Sequence, residues 1–467
     1  MTEIIGTYDS ASAKDITLKK VLSLLSNLGA TKVFIKKLAP NDNSKNQPYF
    51  GAHLTDLPFI PSGELFPSLS KSEKTSDPKR KIKYFSFLKF SWFDADGYVH
   101  EAPHAKLIYY PQYPEVRFSG FLKGSKVKAG RWMNPKKEGR SEGRWLILGI
   151  CPDERIYAYL VTPVCNLSAE LGAFNITEVN NVFGQLDAAG STSIKSSKET
   201  IIAKLLEIHQ MGAIPGQRLN AALELIPYNA QNGGGYTLEA QLGIAPNGFA
   251  EPDYLGWEVK QFGVSRFPAI GAKPTTLMTP EPNGGFYKKQ GATDFVRLYG
   301  YKDKSGKPDR LNFGGRHISG VPHKLTELTL KLVGFDPEGS KITNAEGFIG
   351  LYDKSENIAA SWSFAKLMDH WKRKHSQAVY VPCTKQMNLQ SGTPEYHFGK
   401  NIELGVGTDL ELFLGCMHSG TVYYDPGIKL EHASSASPKL KRRNQFRVAH
   451  KKLQKLYKNF EFVDISQ

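Results

Sequence analysis

Between residues 30 and 180 the apolar positions fall in short runs rich in β-branched and aromatic side chains: TKVFIKKL, KIKYFSFLKFSWF, AKLIYYPQY, EVRFSGFL, GRWLILGI and RIYAYLVTPV. Clusters of Gly, Pro, Asn and Lys separate them, which predicts strands joined by turns. Such spacing suggests a small barrel or pseudobarrel. The pattern then lapses in DAAGSTSIKSSKET, residues 187–200, a small and polar stretch that reads as a linker. In SSKETIIAKLLEIHQMG it returns with helical spacing. Ser196 and Glu199 can form a capping box, and Ile201, Ile202, Leu205, Leu206 and Ile208 make the buried stripe. Beyond it strands and helices alternate, which predicts a mixed α/β domain with a central sheet flanked by helices. The expected organisation is a β-rich domain over 1–186, a linker over 187–200 and an α/β domain over 201–467. The stretch SPKLKRRNQFRVAHKKLQKLYKNFEF is basic and ends in aromatics, so it reads either as a solvated helix face or as a segment lying along a phosphate backbone.

Composition narrows the class. The chain has 467 residues, 40% of them hydrophobic and 11% aromatic, which fits a folded protein of more than one domain. No run approaches the roughly eighteen apolar residues of a membrane span, and the start MTEIIGTYDSASAKD does not read as a signal peptide. Cys151, Cys165, Cys383 and Cys416 form no CxxC pair, which fits a reducing cytosol and gives no zinc framework. The formal net charge of +15 changes the picture most, because Lys and Arg that neutralise phosphates release counterions. A nucleic acid is the natural partner. No basic amphipathic helix with a bulky apolar face supports the rival, an acidic membrane surface.

The candidate chemistry lies in GGGYTLEAQLGIAPNGFAEPDYLGWEVK, residues 233–260. Gly233, Gly234 and Gly235 lack the following Gly-Lys-Ser/Thr of a phosphate-binding loop. They read instead as a turn into a short helix carrying Glu239. Pro252-Asp253 comes next, then four residues, then Glu258-Val259-Lys260. On a strand, Glu258 and Lys260 share a face because side chains alternate. A bend before them would bring Asp253 beside Glu258. Two carboxylates at one place repel unless a cation lies between them, and a hard divalent ion such as Mg2+ takes oxygen ligands. Lys260 would then face the attacking water and a scissile phosphate, with Glu239 as a third carboxylate. The alternative is an exposed strand with an ordinary Glu–Lys pattern.

These residues resemble the glycine–x–TLE–PD–x4–E–x–K core of the MvaI/BcnI restriction endonuclease family, a branch of the PD-(D/E)xK nucleases related to MutH. LMTPEPNGG, FVRLYGYKDKSGK, AASWSFAKLMDHWKRKHSQAVYV, EYHFG and NQFRV follow in the family's order, so the likeness spans roughly residues 200–450. It implies that Asp253 and Glu258 are metal ligands, Lys260 the catalytic lysine and Glu239 a supporting acid. It also places His418, in the loop CMHSG, and Arg447 where the family reaches DNA bases. One departure is Glu411, in DLELFLG, where the family carries an arginine before its Gly-x-x-His-Ser-Gly loop; it bears on which bases are read. VFIKKLAPND, IPSGELFPS and AKLIYY are similar to the effector DNA-binding domain of EcoRII-type restriction enzymes, a pseudobarrel. That likeness puts Lys36, Lys37, Asn41 and Asp42 on a DNA-contacting arm.

Further candidates have plainer readings beside them. Arg117 lies between aromatics and is followed by Lys123, Lys126, Lys128 and Arg131, which suits guanine and phosphate contacts or a surface strand with a stacked arginine. Arg316 and His317, in NFGGRHISG, belong to a DNA-facing loop or to a plain turn. Trp362 and Phe364 read as helix core, and Cys383 and Cys416 as buried thiols.

The expectation is a Mg2+-dependent, sequence-specific endodeoxyribonuclease of prokaryotic restriction and phage defence, in the cytoplasm. It would act on double-stranded DNA as a monomer or transient dimer, with a cognate methyltransferase in the same system and no membrane partner. The amino-terminal domain would bind a DNA effector site. The alternatives are a modification-dependent nuclease and a DNA-binding regulator with an inactive nuclease fold. A nucleophile elbow is lacking, which leaves a small-molecule hydrolase without support.

Overall fold

The computed structural model describes residues 8, 10–40, 47–69, 82–127, 129–134, 136–173, 177–179, 182–186, 197–245, 254–269, 271 and 273–467. The chain divides into two compact units, Met1–Ser68 with Lys83–Thr200, and Leu69–Ile82 with Ile201–Gln467.

The first unit is built on two sheets. A seven-stranded sheet runs in the order Thr177–Glu178, Gly184–Leu186, Lys32–Lys37, Trp145–Ile150, Arg155–Val161, Lys89–Phe93 and Val99–Glu101. A five-stranded sheet runs Tyr49–Gly51, Glu115–Ser119, Lys106–Tyr110, Ile82–Phe87 and Phe66–Leu69. Their inner faces meet through rings: Phe50 packs edge-on to Phe183 at 5.0 Å, and Phe90 lies 5.0 Å from Phe118. The helix Leu18–Asn27 covers the larger sheet's other side. Thr17 caps it by accepting from the Lys20 amide, and Leu18, Val21 and Leu25 form its buried stripe. Leu25 needs Gly149 beneath it, since a Cβ there would overlap its side chain.

In the second unit a mixed sheet positions the candidate site. Its order is Ala213–Pro215, Pro394–Phe398, Gln377–Met387, Asn401–Val406 and Asn459–Asp464, with Glu258–Gly263 pairing parallel to Gln377–Met387. Val259, Val379, Val381, Ile402 and Leu404 form one core face of this sheet. Ile201, Leu205 and Ile208 of the helix Ser197–Gln210 pack there, with Leu238 of the helix Gly233–Gln241. By alternation the other face carries Glu258, Lys260 and Phe262. In register with these stand Tyr380, opposite Lys260, and Glu403, opposite Tyr380.

Several expectations change. Trp362 is fully buried but lies on the strand Ile358–Ser363. The following helix, Phe364–Lys374, begins only where Ser363 accepts from the Lys366 amide. The basic stretch is not a helix face. It forms the strands Lys439–Lys441 and Phe446–Val448, a 3-10 turn His450–Leu456 and the strand Asn459–Asp464. Phe446 and Val448 alternate inward, and Asn459–Asp464 pairs antiparallel along the whole of Asn401–Val406, which backbone hydrogen bonding favours over a lone helix. The helix Ser197–Gln210 starts where expected, although Ser196 lies outside the described residues. All four cysteines are free and buried, and burial pushes Cys383 up to about 12 and Cys416 up to about 11. Among the described residues no helix is long and apolar enough to cross a membrane.

Candidate active site

The site is built around a turn. Leu255 (φ 49°) and Gly256 (φ 86°) are both left-handed, and they reverse the chain between Tyr254 and Trp257. The Tyr254 amide donates to the Trp257 carbonyl at 3.0 Å and the Trp257 amide returns a bond of 2.8 Å. Two successive positive φ values give the tight two-residue reversal typical of hairpins. Trp257 is 1% exposed and anchors the turn in the core, while Leu255 points out at 52%.

The chain leaves this turn directly into Glu258. The Glu258 side chain is 4% exposed and Lys260 Nζ lies 2.6 Å from its Oε1, with the lysine side chain 19% exposed. The amine is thus the outer member of a nearly buried ion pair. Such a pair is held by its geometry, because both charges have given up most of their water. A carboxylate oxygen is a donor that suits a hard divalent cation. Among the described residues, which do not include Asp253, no group of three His, Cys, Asp or Glu side chains is placed to hold a metal ion.

The glycines before Glu239 have a packing reason. A Cβ on Gly233 would stand 2.5 Å from the Tyr396 hydroxyl, and one on Gly234 would meet Gln261 Oε1 at 3.1 Å and Tyr396 Cδ1 at 3.2 Å. The helix Gly233–Gln241 therefore lies tight against the strand that carries Lys260, on the side of Val259 and Gln261. Thr237 fixes its far edge, with its hydroxyl bonded to the Gln217 amide at 3.1 Å. Glu239 is half-buried on that helix.

Residues remote in sequence complete the Lys260 face. Glu403 and His450 are both buried and form a pair, Nε2 to Oε1 at 3.2 Å, while His450 Nδ1 and Thr275 Oγ1 lie 3.0 Å apart. Phe262 lies against the His450 ring at 4.0 Å. Tyr380 and Tyr457 join hydroxyls at 2.8 Å, and burial pushes both phenols up. No local motif marks these residues. Strand register sets Tyr380 and Glu403 in line with Lys260, and His450, on the 3-10 turn, joins them through Glu403 and Phe262.

Of the sequence-derived site residues, the structure brings Glu258 and Lys260 together. Asp253, Asn41, Asp42 and Lys128 lie outside the described residues. The expectation that His317 faces DNA is corrected. Its ring is 0% exposed, with Nδ1 at 3.0 Å from the Gly315 carbonyl and Nε2 at 2.9 Å from Thr326 Oγ1, and desolvation lowers it to about 3. Arg316 beside it is exposed, 5.2 Å from the Tyr423 ring centre. Lys36 also departs from an exposed arm. It is 9% exposed, its amine lies 5.8 Å from the Phe183 ring centre, and burial lowers it to about 8. Lys37 and Lys123 are exposed. Arg117 is half-buried, bonded to Glu115 at 2.7 Å and to the Gln47 carbonyl at 3.2 Å. His418 is exposed but ends the helix Leu410–His418 instead of lying in a loop. Arg447 is tied to Asp425 at 2.8 Å and to the Pro274 carbonyl at 2.9 Å. Glu411 is buried and accepts from the Ile342 amide at 3.4 Å, so it clasps a neighbouring hairpin.

A comparison with protein families matches the MvaI/BcnI restriction endonuclease family over residues 202–457. Among solved structures the chain is similar to restriction endonuclease MvaI bound to its cognate DNA substrate, at TM-score 0.43 and 15% identity, over 58% of this chain and 99% of that one. It is similar also to MvaI in the absence of DNA, at TM-score 0.33 and 14% identity, over 58% of this chain and 100% of that one. No curated protein matches the chain. The matched segment takes in more than half of the chain and contains the turn, the Glu258–Lys260 pair and all but the last strand of the sheet that carries them, and by it the chain belongs to the MvaI/BcnI restriction endonuclease family.

Proposed function

We propose that the protein is a Mg2+-dependent, sequence-specific endodeoxyribonuclease of the PD-(D/E)xK type that hydrolyses phosphodiester bonds of double-stranded DNA. The observation that carries this reading is the nearly buried Glu258–Lys260 pair, held at 2.6 Å directly after a tight turn inside the family-matched segment. In chain order Asp253 precedes the turn and Glu258 follows it, so the two carboxylates flank it. Asp253 and Glu258 would hold the metal, with Glu239 supporting them. When bound, that ion polarises the phosphate and lowers the pKa of water. Lys260, held 2.6 Å from Glu258, orients the attacking water and offsets charge building on the phosphate oxygens. Arg316, His418 and Arg447 are the proposed DNA contacts of this unit.

The division of the chain into two compact units, with Thr200 in the first and Ile201 in the second, supports a second role. The first unit acts as an EcoRII-type pseudobarrel that binds a DNA effector site through Lys37, Asn41, Arg117 and Lys123. Its two stacked sheets and its exposed cations support that reading. The setting is restriction of phage DNA in a prokaryotic cytoplasm, with a methyltransferase protecting the host.

The test is digestion of an unmodified DNA library with Mg2+ by the wild type and by Lys260→Ala, followed by sequencing of the ends. Cuts at one recurrent sequence, lost in the variant, are expected. Equal cutting by both proteins would remove Lys260 from the reaction, and cutting of modified DNA alone would replace the sequence-specific reading.

A further inference from the structure

The outward face of the five-stranded sheet in the first unit has an unusual make-up. Along Ile82–Phe87, the side chains of Ile82, Tyr84 and Ser86 are buried and Phe85 and Phe87 alternate outward. Phe66 joins them from the neighbouring strand, 5.6 Å from Phe85. Phe66 is 44% exposed and Phe87 45%, large fractions for phenylalanine. Strand register relates this end to a second one: Phe85 stands opposite Ile108, which is 5% exposed, Ile108 opposite Arg117, and Arg117 opposite Tyr49, which is 38% exposed, so the buried Ile108 separates the two aromatic ends. The two aromatic ends are thus three strand spacings apart, about 14 Å.

Cations are set among these rings. Lys106 Nζ lies 5.1 Å from the Phe85 centre and 5.7 Å from the Phe87 centre, and the Arg117 guanidinium carbon lies 5.8 Å from Tyr49. Glu115 takes one end of Arg117, so the net charge of the face rests on Lys106 and Lys83. A purely structural apolar face would be inside, whereas here Phe66 and Phe87 are exposed together beside a cation, with Tyr49 exposed at the far end. A second copy of the chain docked symmetrically here would bring the charges of Lys83 and Lys106 up to those of its mate.

We propose that this face is a stacking platform for the unpaired bases of a DNA strand, with Phe87, Phe66 and Tyr49 under the bases and Lys106 on the backbone phosphates. Unpaired bases present free π-faces, which aromatic side chains take up without regard to sequence, and the adjacent phosphates need cations. Bases within an intact duplex are stacked on one another and offer no such face. The inference deepens the DNA-binding role proposed for this unit and rests on it. It adds that the DNA form held is locally opened.

The experiment uses the full chain without divalent ions, so that no cleavage intervenes, and a single-stranded oligonucleotide carrying 2-aminopurine. Binding should quench the 2-aminopurine emission, because the probe stacks on a ring. Phe66→Ala with Phe87→Ala should abolish the quench and weaken the strand's binding by about tenfold or more. Cleavage of duplex DNA in Mg2+ by the wild type, measured separately, tests the nuclease reading on its own, so that its failure and the failure of this inference are distinguishable. Should the double variant fail to fold, Phe87→Trp must keep the quench and Lys106→Gln must lower the salt dependence of strand binding, by a slope of roughly 0.7. An unquenched wild type, equal binding by wild type and folded double variant, or a dimer in sedimentation that the double variant dissociates would each overturn the proposal.

Discussion

Lys260 Nζ reaches Glu258 Oε1 at 2.6 Å across two positions of one strand, and the carboxylate is the more deeply buried partner. Replacing Lys260 with Met should therefore act twice. Cleavage should fall by about a hundredfold to a thousandfold, as for loss of a charge-stabilising donor. Stability should fall as well, because Glu258 loses the cation that offsets its burial. Urea melts of Lys260→Met and of Glu258→Gln with Lys260→Met check the second effect. The double variant should be the more stable of the two, and the reverse order would show that the pair is not coupled.

Removal of divalent ions should abolish cleavage and leave duplex binding measurable. Mg2+ added back to a chelated sample should restore cutting in the wild type and not in Glu258→Gln. A gel-shift and a cleavage assay on the same samples separate the two properties, and cutting that survives chelation would count against an oxygen-ligated ion.

Leu255 holds a left-handed backbone at φ 49°, which costs about 1–2 kcal/mol in a residue with a Cβ. Leu255→Gly should raise the melting temperature without loss of cutting, since its side chain is largely solvent-exposed. Leu255→Pro, whose ring fixes φ near −65°, should open the turn and abolish activity. Equal melting and activity for wild type and both variants would show that the turn does not matter.

His317 titrates near 3 when folded, below its ordinary value of 6.5, because burial penalises the charged ring and His323 adds to the effect. The unfolded chain takes up the proton first, so this contribution to stability is complete above about pH 6.5 and declines as the pH falls from there toward 3. Melting temperatures of the wild type and of His317→Gln between pH 7.5 and 5 should converge as the pH drops. Parallel curves would contradict the burial of the ring.

Gly233 faces the Tyr396 hydroxyl so closely that a methyl group has no room. Gly233→Val should lower the melting temperature and displace the helix Gly233–Gln241 from the strand of Lys260. Cutting should fall with it, while Gly235→Ala, which meets nothing within 4 Å, should be nearly silent in both assays.

The local parts of this architecture were legible because they are local. The alternation of Glu258 and Lys260 needed only the two-residue period of a strand, and the stripe Ile201, Leu205 and Ile208 needed only the helical one. What the sequence withheld depends on distance. Tyr380 and Glu403 join the face of Lys260 through pairing with strands more than a hundred residues away, and no short pattern encodes that register. His317 misled for another reason. Its flanking glycines suggest a loop, but the ring folds back under that loop and stacks on His323 at 4.3 Å. In the basic stretch the lysines are exposed, as charge implies, and the strand signal against a helix was the alternation of Phe446 and Val448, every second residue, which face inward.

The parallel pairing of Glu258–Gly263 with Gln377–Met387 also has a consequence in time. A ribosome that has delivered Lys260 must add more than a hundred residues before the strand that anchors it exists. Contacts so far apart along a chain close late. During synthesis the acid and the amine therefore wait through more than a hundred residues before their parallel neighbour, Gln377–Met387, can be laid beside them.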